Sequence, residues 1–238
     1  MRHVFDIHNE IGRFFDEKIY KRELALRLPG VLLEEPIEVT FGTFRKPYFL
    51  DVLVAGGAIF EFKAVTKLVG RHRAQLLNYL LLCDLAHGKL INVRSEGIEQ
   101  EFVNTQWRRA ERLRFEVKTG RWDSAIEGTA ALHDNLLAFL RDLGVGLEIG
   151  LYEEFVMHLF GGKEQVERDV QVEIGGHRVG EQRIRLIAPG VAFKITGLDR
   201  SLADFETHAR RLLAHADLRA IAWIDINMKC VTFTTLTK

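Results

Sequence analysis

The sequence repeats its own pattern after about half its length, and this repeat constrains the fold more than any other feature. A displacement of 133 positions superposes residues 57–60 on 190–193 and residues 84–85 on 217–218. A displacement of 132 positions relates Gly12 and Tyr20 to Gly144 and Tyr152, so one inserted residue in a loop reconciles the two offsets. Repetition at this distance predicts two copies of one fold within the chain.

Hydrophobic periodicity gives both halves the same order of elements: a helix, a meander of strands, a second helix and a further strand. Helical spacing predicts one continuous first helix through Ile7, Ile11, Phe14, Phe15 and Ile19, with a counterpart in 132–160. Strands are predicted over 37–41, 49–54, 58–63 and 89–93, with a Gly56-Gly57 turn, and over 171–174, 183–187, 191–195 and 220–226. Helical spacing returns over 73–85 and 202–216. The expected fold class is α/β, with a central mixed sheet flanked by helices in each copy.

Composition and charge exclude several classes of protein. The 238 residues include 33 basic and 33 acidic side chains, so any surface that attracts nucleic acid or membrane must be local. Cys83 and Cys230 are too few and too far apart in sequence for a disulfide scaffold or a cysteine metal cluster. The charged N-terminal residues and the lack of an apolar run of about 20 residues predict a cytoplasmic protein without membrane contact.

The two copies are expected to form separate domains. The first is assigned to residues 1–104 and the second to 127–238, with an arginine-rich linker at 105–126. Arg108 and Arg109 in this linker could form a phosphate-contacting patch beside tryptophans able to stack on bases. The alternative is a solvated connecting segment whose arginines pair with Glu111 and Glu116.

Three charged residues interrupt apolar strands of the first half. Asp51 lies in one strand, and Glu61 and Lys63 flank Phe62 in the next. Because side chains alternate along a strand, Glu61 and Lys63 share a face, and a hairpin would bring Asp51 beside them. Two carboxylates this close repel each other unless a cation separates them, and oxygen ligands favour Mg²⁺ or Mn²⁺. Lys63 would offset the remaining charge and position a water nucleophile.

This pattern, Asp51 followed by Glu61, Phe62 and Lys63, resembles the signature of the PD-(D/E)xK nuclease superfamily. Residues 10–20, 63–65 and 72–80 also resemble the branch of that superfamily named for its GxxExxY motif. The resemblance covers about residues 4–95. It implies a restriction-endonuclease-like core and a nuclease activity that depends on a divalent metal.

The motif itself is present with two departures. Glu17 and Tyr20 occupy its acidic and aromatic positions, whereas Phe14 stands at the glycine position and Leu50 replaces the proline before the strand carboxylate. Because that glycine has a backbone role, Phe14 is expected either to crowd the start of the helix or to add volume to the core.

The resemblance also implies a role for each motif residue. The implied ligands of Mg²⁺ or Mn²⁺ are Asp51, Glu61, Glu17 and the backbone carbonyl of Phe62. Lys63 is the implied catalytic lysine, and Gln75 and Tyr79 match a QxxxY pattern placed beside the metal and the nucleic-acid strand. Structural alternatives remain: Glu17 could be an exposed helix acid paired with Arg13 or Lys21, and the Gln75–Tyr79 pair could be a hydrogen-bonded core pair.

A basic stretch follows the strand that carries Lys63. Lys67, Arg71 and Arg73 in this stretch are candidates to grip a phosphate backbone. The alternative is a solvated surface in which these cations have no ligand.

The second half lacks the charged residues at the displaced positions. The 133-residue displacement places Ile184 at the position of Asp51, Lys194 at that of Glu61, Thr196 at that of Lys63, His208 at that of Gln75 and Leu212 at that of Tyr79. The second half is therefore expected to act as an inactive partner in an intramolecular pseudo-dimer, and the protein to be a monomer.

The sequence thus predicts a metal-dependent nuclease with one active site, acting on DNA in preference to RNA. The alternative is a noncatalytic module with a vestigial site, which binds nucleic acid or a protein partner through the duplicated fold.

Overall fold

The computed structural model describes residues 1–54, 57–198 and 201–238, so Gly56 of the expected glycine turn lies outside the described residues. The chain forms two compact units, Met1–Glu111 and Arg112–Lys238. The division falls inside the stretch 105–126 that the sequence suggests as a linker, within the short helix α4 (Arg109–Arg112).

Within residues 1–54 and 57–108, the first unit contains three helices and five strands before α4. They are α1 (Arg2–Ile11), α2 (Glu17–Arg27), β1 (Val31–Phe41), β2 (Phe44–Val54), β3 (Ala58–Lys63), α3 (Gly70–Leu82), β4 (His87–Asn92) and β5 (Glu99–Asn104). The strands lie in the order β1-β2-β3-β4-β5, and only the β3–β4 pair is parallel. This mixed sheet confirms the predicted fold class of the first half.

The second unit begins with a strand from the arginine-rich stretch. Its elements are β6 (Glu116–Arg121), α5 (Thr129–Leu143), α6 (Ile149–Leu159), α7 (Lys163–Val166), β7 (Glu167–Ile174), β8 (His177–Ala188), β9 (Val191–Thr196), α8 (Leu202–His215), β10 (Ala220–Ile226) and β11 (Cys230–Thr237). The sheet order is β6-β11-β10-β9-β8-β7. Since β6 pairs with β11, residues 116–121 are part of a sheet and not of a free linker.

Strand directions follow one scheme in both units. Along β1 to β5 the neighbouring pairs are antiparallel, antiparallel, parallel and antiparallel. Along β7 to β11 the same four directions recur in the same order. A parallel pair needs a crossover connection, and in each unit one helix, α3 or α8, provides it.

The first helix is not continuous, and the prediction of a single helix is wrong. α1 ends at Gly12, whose φ of 76° lies in the left-handed region that glycine adopts without steric cost. The buried Tyr20 hydroxyl of α2 donates a hydrogen bond to the Gly12 carbonyl, which ties the loop to the second helix. Phe14 and Phe15 lie in this loop with exposed fractions of 79% and 48%, so Phe14 adds no core volume.

The helix expected over 132–160 is divided in the same way. α5 ends at Gly144 with a φ of 84°, and the Tyr152 hydroxyl of α6 donates to the Gly144 carbonyl at 3.0 Å. The same hydroxyl accepts a hydrogen bond from the Leu147 amide at 3.1 Å.

In the part of the chain that the structure describes, no helix has both the length and the apolar character needed to cross a bilayer.

Candidate active site

β2 and β3 bring the two strand carboxylates together in the first unit. The antiparallel ladder ends where Val52 pairs with Phe60, and beyond it the Phe62 amide donates to Asp51 Oδ2 at 2.8 Å. Asp51 and Glu61 are buried, with exposed fractions of 8% and 1%. The hairpin thus places both carboxylates in a nearly water-free position, as the alternation of the two strands predicts.

Lys63 lies on the same face of β3 as Glu61, two residues further along. Its Nζ donates to Glu61 Oε1 at 2.6 Å. The other carboxylate oxygen, Glu61 Oε2, is buried and has no hydrogen-bond partner among the described residues. A buried carboxylate oxygen without a partner is costly, so this atom is a natural point of attachment for a cation.

The surroundings of Glu61 favour its protonated form. Burial, followed by the negative charge of Asp51, raises the pKa of Glu61 from 4.5 to about 7, although the Lys63 ammonium acts in the opposite direction. A carboxyl with a pKa near neutrality can readily give up its proton when a metal ion binds, or take up a proton from a reactant.

Lys21 also belongs to this site, in a position that the sequence does not predict. The sequence suggests it only as a partner of Glu17, whereas its Nζ donates to Asp51 Oδ1 at 2.7 Å and also to Glu34. Lys21 is 5% exposed. Burial lowers the pKa of its ammonium, but the hydrogen bonds and charges of Asp51 and Glu34 together outweigh that effect and raise the pKa. A signal was present in the sequence, since Lys21 follows Glu17 by four residues and therefore shares its face of α2.

Glu34, the other partner of Lys21, has an irregular backbone conformation within β1. Its φ is 52°, although the β1–β2 register is the same on both sides, with Leu33 opposite Val52 and Glu35 opposite Leu50. The apolar spacing of β1 gives no sign of this irregularity, so the sequence did not predict it.

Glu17 lies in the electrostatic environment of the same carboxylates. It is the first residue of α2 and is partly buried. Burial and the charge of Asp51 raise the pKa of Glu17, while Lys63 and Lys21 lower it. Glu17 therefore faces the site, although the structure gives it no direct hydrogen bond to Asp51.

Gln75 and Tyr79 form a pair on α3 that adjoins the site. Gln75 Nε2 donates to the Tyr79 hydroxyl at 3.0 Å, and the Tyr79 ring packs edge-on against Tyr48. Burial raises the pKa of Tyr79; Gln75 lowers it, and the charges of Glu61 and Asp51 raise it further. Gln75 and Tyr79 are thus hydrogen-bonded to each other, as expected for a structural core pair. The charges of Glu61 and Asp51 also act on Tyr79.

The described residues contain no group of three or more His, Cys, Asp or Glu side chains already arranged around a metal position. Instead, Lys21 and Lys63 hold the carboxylates of Asp51 and Glu61. The donor set still fits a hard cation: it consists of carboxylate oxygens, and Glu61 Oε2 lacks a partner among the described residues. The carboxylate oxygens are therefore compatible with a divalent cation, and two ammonium groups now balance their charge.

The comparisons with known proteins agree with this chemistry. Residues 1–105 match the family model described as PD-(D/E)XK nuclease superfamily. The match covers the whole of the candidate site and confirms the superfamily expected for the first half. PD-(D/E)XK nucleases generally use divalent metals.

The other comparisons find little. No curated protein matches the chain. The solved structure titled "Crystal structure of SSO0001" aligns over 39% of this chain with 21% sequence identity and a TM-score of 0.31. The aligned region spans about half of that structure's length, at 52%.

The arginines and lysines proposed for nucleic-acid contact differ in their surroundings. Arg73 makes two hydrogen bonds to the Glu101 carboxylate, at 2.5 and 2.6 Å. Lys67 and Arg71 are exposed. Arg108 donates to the Asp84 carbonyl at 3.2 Å, and the backbone amide of Arg109 donates to Asp84 Oδ1 at 2.8 Å.

The second unit contains different chemistry at the displaced positions. Thr196, at the position of Lys63, donates from Oγ1 to Asp225 Oδ1 at 2.6 Å. Lys194, at the position of Glu61, is exposed and lines a cavity of about 470 Å³. Arg185 in this cavity pairs with Glu153 at 2.7 Å. The residues at these positions and around this cavity are thus a mixed set of cations and carboxylates.

Proposed function

We propose that this protein is a nuclease that hydrolyses phosphodiester bonds of DNA with the help of Mg²⁺ or Mn²⁺, at one active site in the first unit. The observation that carries the proposal is the buried Glu61 carboxylate, with one oxygen on Lys63, the other without a partner among the described residues, and Asp51 beside it. In a superfamily domain, this set is suited to phosphoryl transfer rather than to fold stability alone.

Each residue has a distinct role in the proposed reaction. Asp51, Glu61 and the Phe62 carbonyl would hold the metal, with Glu17 facing it from α2. When bound, the metal would polarise a phosphoryl oxygen and acidify a water molecule.

Lys63 would act as a charged donor rather than as a base. Burial lowers the pKa of Lys63, but Glu61, through its charge and its hydrogen bond, outweighs that effect and raises the pKa above its usual value. The ammonium group therefore remains protonated at neutral pH. It would orient the attacking water and stabilise the negative charge that develops on the phosphate.

Gln75 and Tyr79 would position the nucleic-acid strand beside this centre, through the hydrogen-bonding groups they present on α3. Lys67, Arg71 and Arg73 would contact its phosphates, and Arg108 and Arg109 would extend that contact. Such contacts would fix the register and orientation of the strand and carry no sequence information themselves.

We also propose that the second unit is a copy of the first that has lost the site, and that the first copy belongs to the GxxExxY branch. Two contacts support the duplication besides the strand directions. The Tyr20–Gly12 hydrogen bond has a counterpart in Tyr152–Gly144. Asn92 Oδ1 accepts the Val65 amide at 3.1 Å, and at positions displaced by 133 the Asp225 carboxylate accepts the Leu198 amide at 2.9 Å.

A pseudo-dimer of this kind would have one live site, so the protein would act as a monomer and cut one strand at a time. Light scattering tests this point, because a stable symmetric homodimer would contradict it.

The experiment that tests the activity compares the wild type with Lys63→Ala on labelled linear, circular and single-stranded DNA, with Mg²⁺ or Mn²⁺. Thr196→Ala is the matched control, since Thr196 stands at the displaced position in the second unit. We expect Lys63→Ala to abolish cleavage and Thr196→Ala to retain it. Cleavage that is unchanged in Lys63→Ala would refute the assignment, because Lys63 supplies chemistry and not a metal ligand.

One observation favours the alternative of a noncatalytic binding module: two ammonium groups already neutralise Asp51 and Glu61. Calorimetric titration of Mn²⁺ into the wild type and Asp51→Asn separates the two functions. Binding of the metal that Asp51→Asn weakens would support the nuclease. DNA binding that persists in chelator and is unaffected by Asp51→Asn, without cleavage in any metal, would support the module.

A further inference from the structure

The loop between α1 and α2 presents two adjacent aromatic rings to solvent. Phe14 and Phe15 have exposed fractions of 79% and 48%, although phenylalanine normally buries its ring. Exposing such rings forgoes the hydrophobic free energy that their burial would contribute. A pair exposed in this way indicates a surface that is covered by a ligand.

The loop is anchored at its first residue, Gly12, by two hydrogen bonds. The Gly12 amide donates to the His8 carbonyl at 2.9 Å, and the Tyr20 hydroxyl donates to the Gly12 carbonyl. Tyr20 is 1% exposed, so the anchor belongs to the core of the unit. The rings are therefore presented by a fixed loop, and little ordering entropy would be lost when a ligand binds them.

The rings lie close to the proposed reaction centre. Glu17 interacts electrostatically with Asp51 and Lys63. It follows Phe14 by only three residues. Three extended residues span at most about 11 Å. Stacked bases of a strand are spaced at about 3.4 Å, so this reach corresponds to roughly three nucleotides.

The chemistry around the rings suits nucleic acid. The guanidinium carbon of Arg13 lies 5.4 Å from the centroid of the Phe14 ring, which places a cation beside a stacking surface. Proteins bind single-stranded nucleic acid with basic residues interleaved with exposed aromatic rings, because the cations contact the phosphates and the rings stack on the bases. Phe14 also occupies the position at which the GxxExxY motif has glycine, so this surface is a property of this chain and not of the motif.

We propose that Phe14 and Phe15 stack on an unpaired nucleobase next to the scissile phosphate, so that the substrate is single-stranded DNA or the frayed end of a duplex. A paired base within a duplex offers no free face to the rings, whereas an unpaired base does. This inference rests on the proposed nuclease function for its position on the substrate, but its binding step can be measured without cleavage.

The test measures binding by fluorescence anisotropy, with a labelled single-stranded oligonucleotide and a blunt hairpin duplex of equal length. Each is measured in chelator and again with Ca²⁺ in place of Mg²⁺. The variants are Phe14→Ala, Phe14→Tyr and the control Phe102→Ala, which removes another ring of the first unit that is 72% exposed. Circular dichroism and thermal unfolding establish that all of them fold.

We expect the wild type to prefer the single strand and Phe14→Ala to bind it roughly 5-fold to 150-fold more weakly, the loss that corresponds to one stacked base. Phe14→Tyr should bind like the wild type because it keeps the ring, and Phe102→Ala should also be unchanged. A 2-aminopurine base in the oligonucleotide should lose fluorescence on binding the wild type and not on binding Phe14→Ala.

Several results would overturn the proposal. They are no binding of the single strand by the wild type under either condition, an equal loss of affinity for single strand and duplex in Phe14→Ala, or an equal loss in Phe102→Ala. The proposed nuclease function fails separately: if the wild type cleaves nothing while Phe14-dependent binding of the single strand remains, the stacking surface stands and the catalytic assignment falls.

Discussion

Replacement of Glu61 by glutamine should change how the stability of the first unit depends on pH. In the folded chain, burial and Asp51 raise the pKa of Glu61 from 4.5 to about 7. Between these two values the folded state holds a proton that the unfolded state has released. The free energy of unfolding therefore falls as pH rises through this window, is highest below about pH 4.5 and reaches its lower value above about pH 7.

The magnitude follows from the size of the shift. One pKa unit corresponds to about 1.4 kcal/mol, so a rise from 4.5 to about 7 amounts to about 3 kcal/mol for Glu61. Glutamine keeps the shape of the side chain without titrating. The difference in unfolding free energy between the wild type and Glu61→Gln should thus change by about 3 kcal/mol between acid and mildly basic pH, with the variant relatively more stable at the basic end.

The assay must report on the first unit alone and must exclude bound metal. Hydrogen-exchange mass spectrometry in urea, in the presence of chelator, can follow peptides from β2 and β3 at about pH 4.5, 6 and 8. A difference between wild type and variant that stays constant across this range would refute the reasoning. It would mean that Lys63 keeps Glu61 ionised throughout, and that the unpartnered oxygen has no energetic consequence.

Two other substitutions each test a buried contact inside one unit. Lys21→Met should destabilise the first unit by about 3 kcal/mol because it leaves the buried Asp51 carboxylate without its ammonium partner, and the double variant Lys21→Met/Asp51→Asn should recover part of this loss in urea unfolding. Tyr152→Phe should destabilise the second unit by about 2 kcal/mol because it leaves the Leu147 amide and the Gly144 carbonyl unpaired, and thermal unfolding that matches the wild type would contradict this.

The strand framework and the central charged residues could be predicted from the sequence. Apolar alternation marks β2 and β3, and it isolates Asp51, Glu61 and Lys63 because charged residues are rare inside such strands. The shared face of Glu61 and Lys63 follows from the two-residue period alone. Both features depend on local geometry, and the hydrogen bond from Lys63 to Glu61 agrees with the shared face.

The remaining features depend on contacts that no local pattern records. The break after α1 depends on the left-handed conformation of Gly12 and on a hydrogen bond from Tyr20, eight residues away. Helical spacing continues through the loop, so Phe14 and Phe15 read as core positions although they are exposed. The place of Lys21 depends on a strand 30 residues later, and a lysine on a helix normally reads as solvated.

The strand β6 covers the edge of β11 in the second sheet. β11 is rich in threonine and apolar residues and carries no charged side chain, so a free edge along it would be an effective template for pairing with another chain. The described chain covers that edge with β6, whose outward residues include Glu116, Lys118 and Arg121. The arginine-rich stretch thus protects the protein against edge-to-edge aggregation, and shortening it would make the second unit prone to self-association.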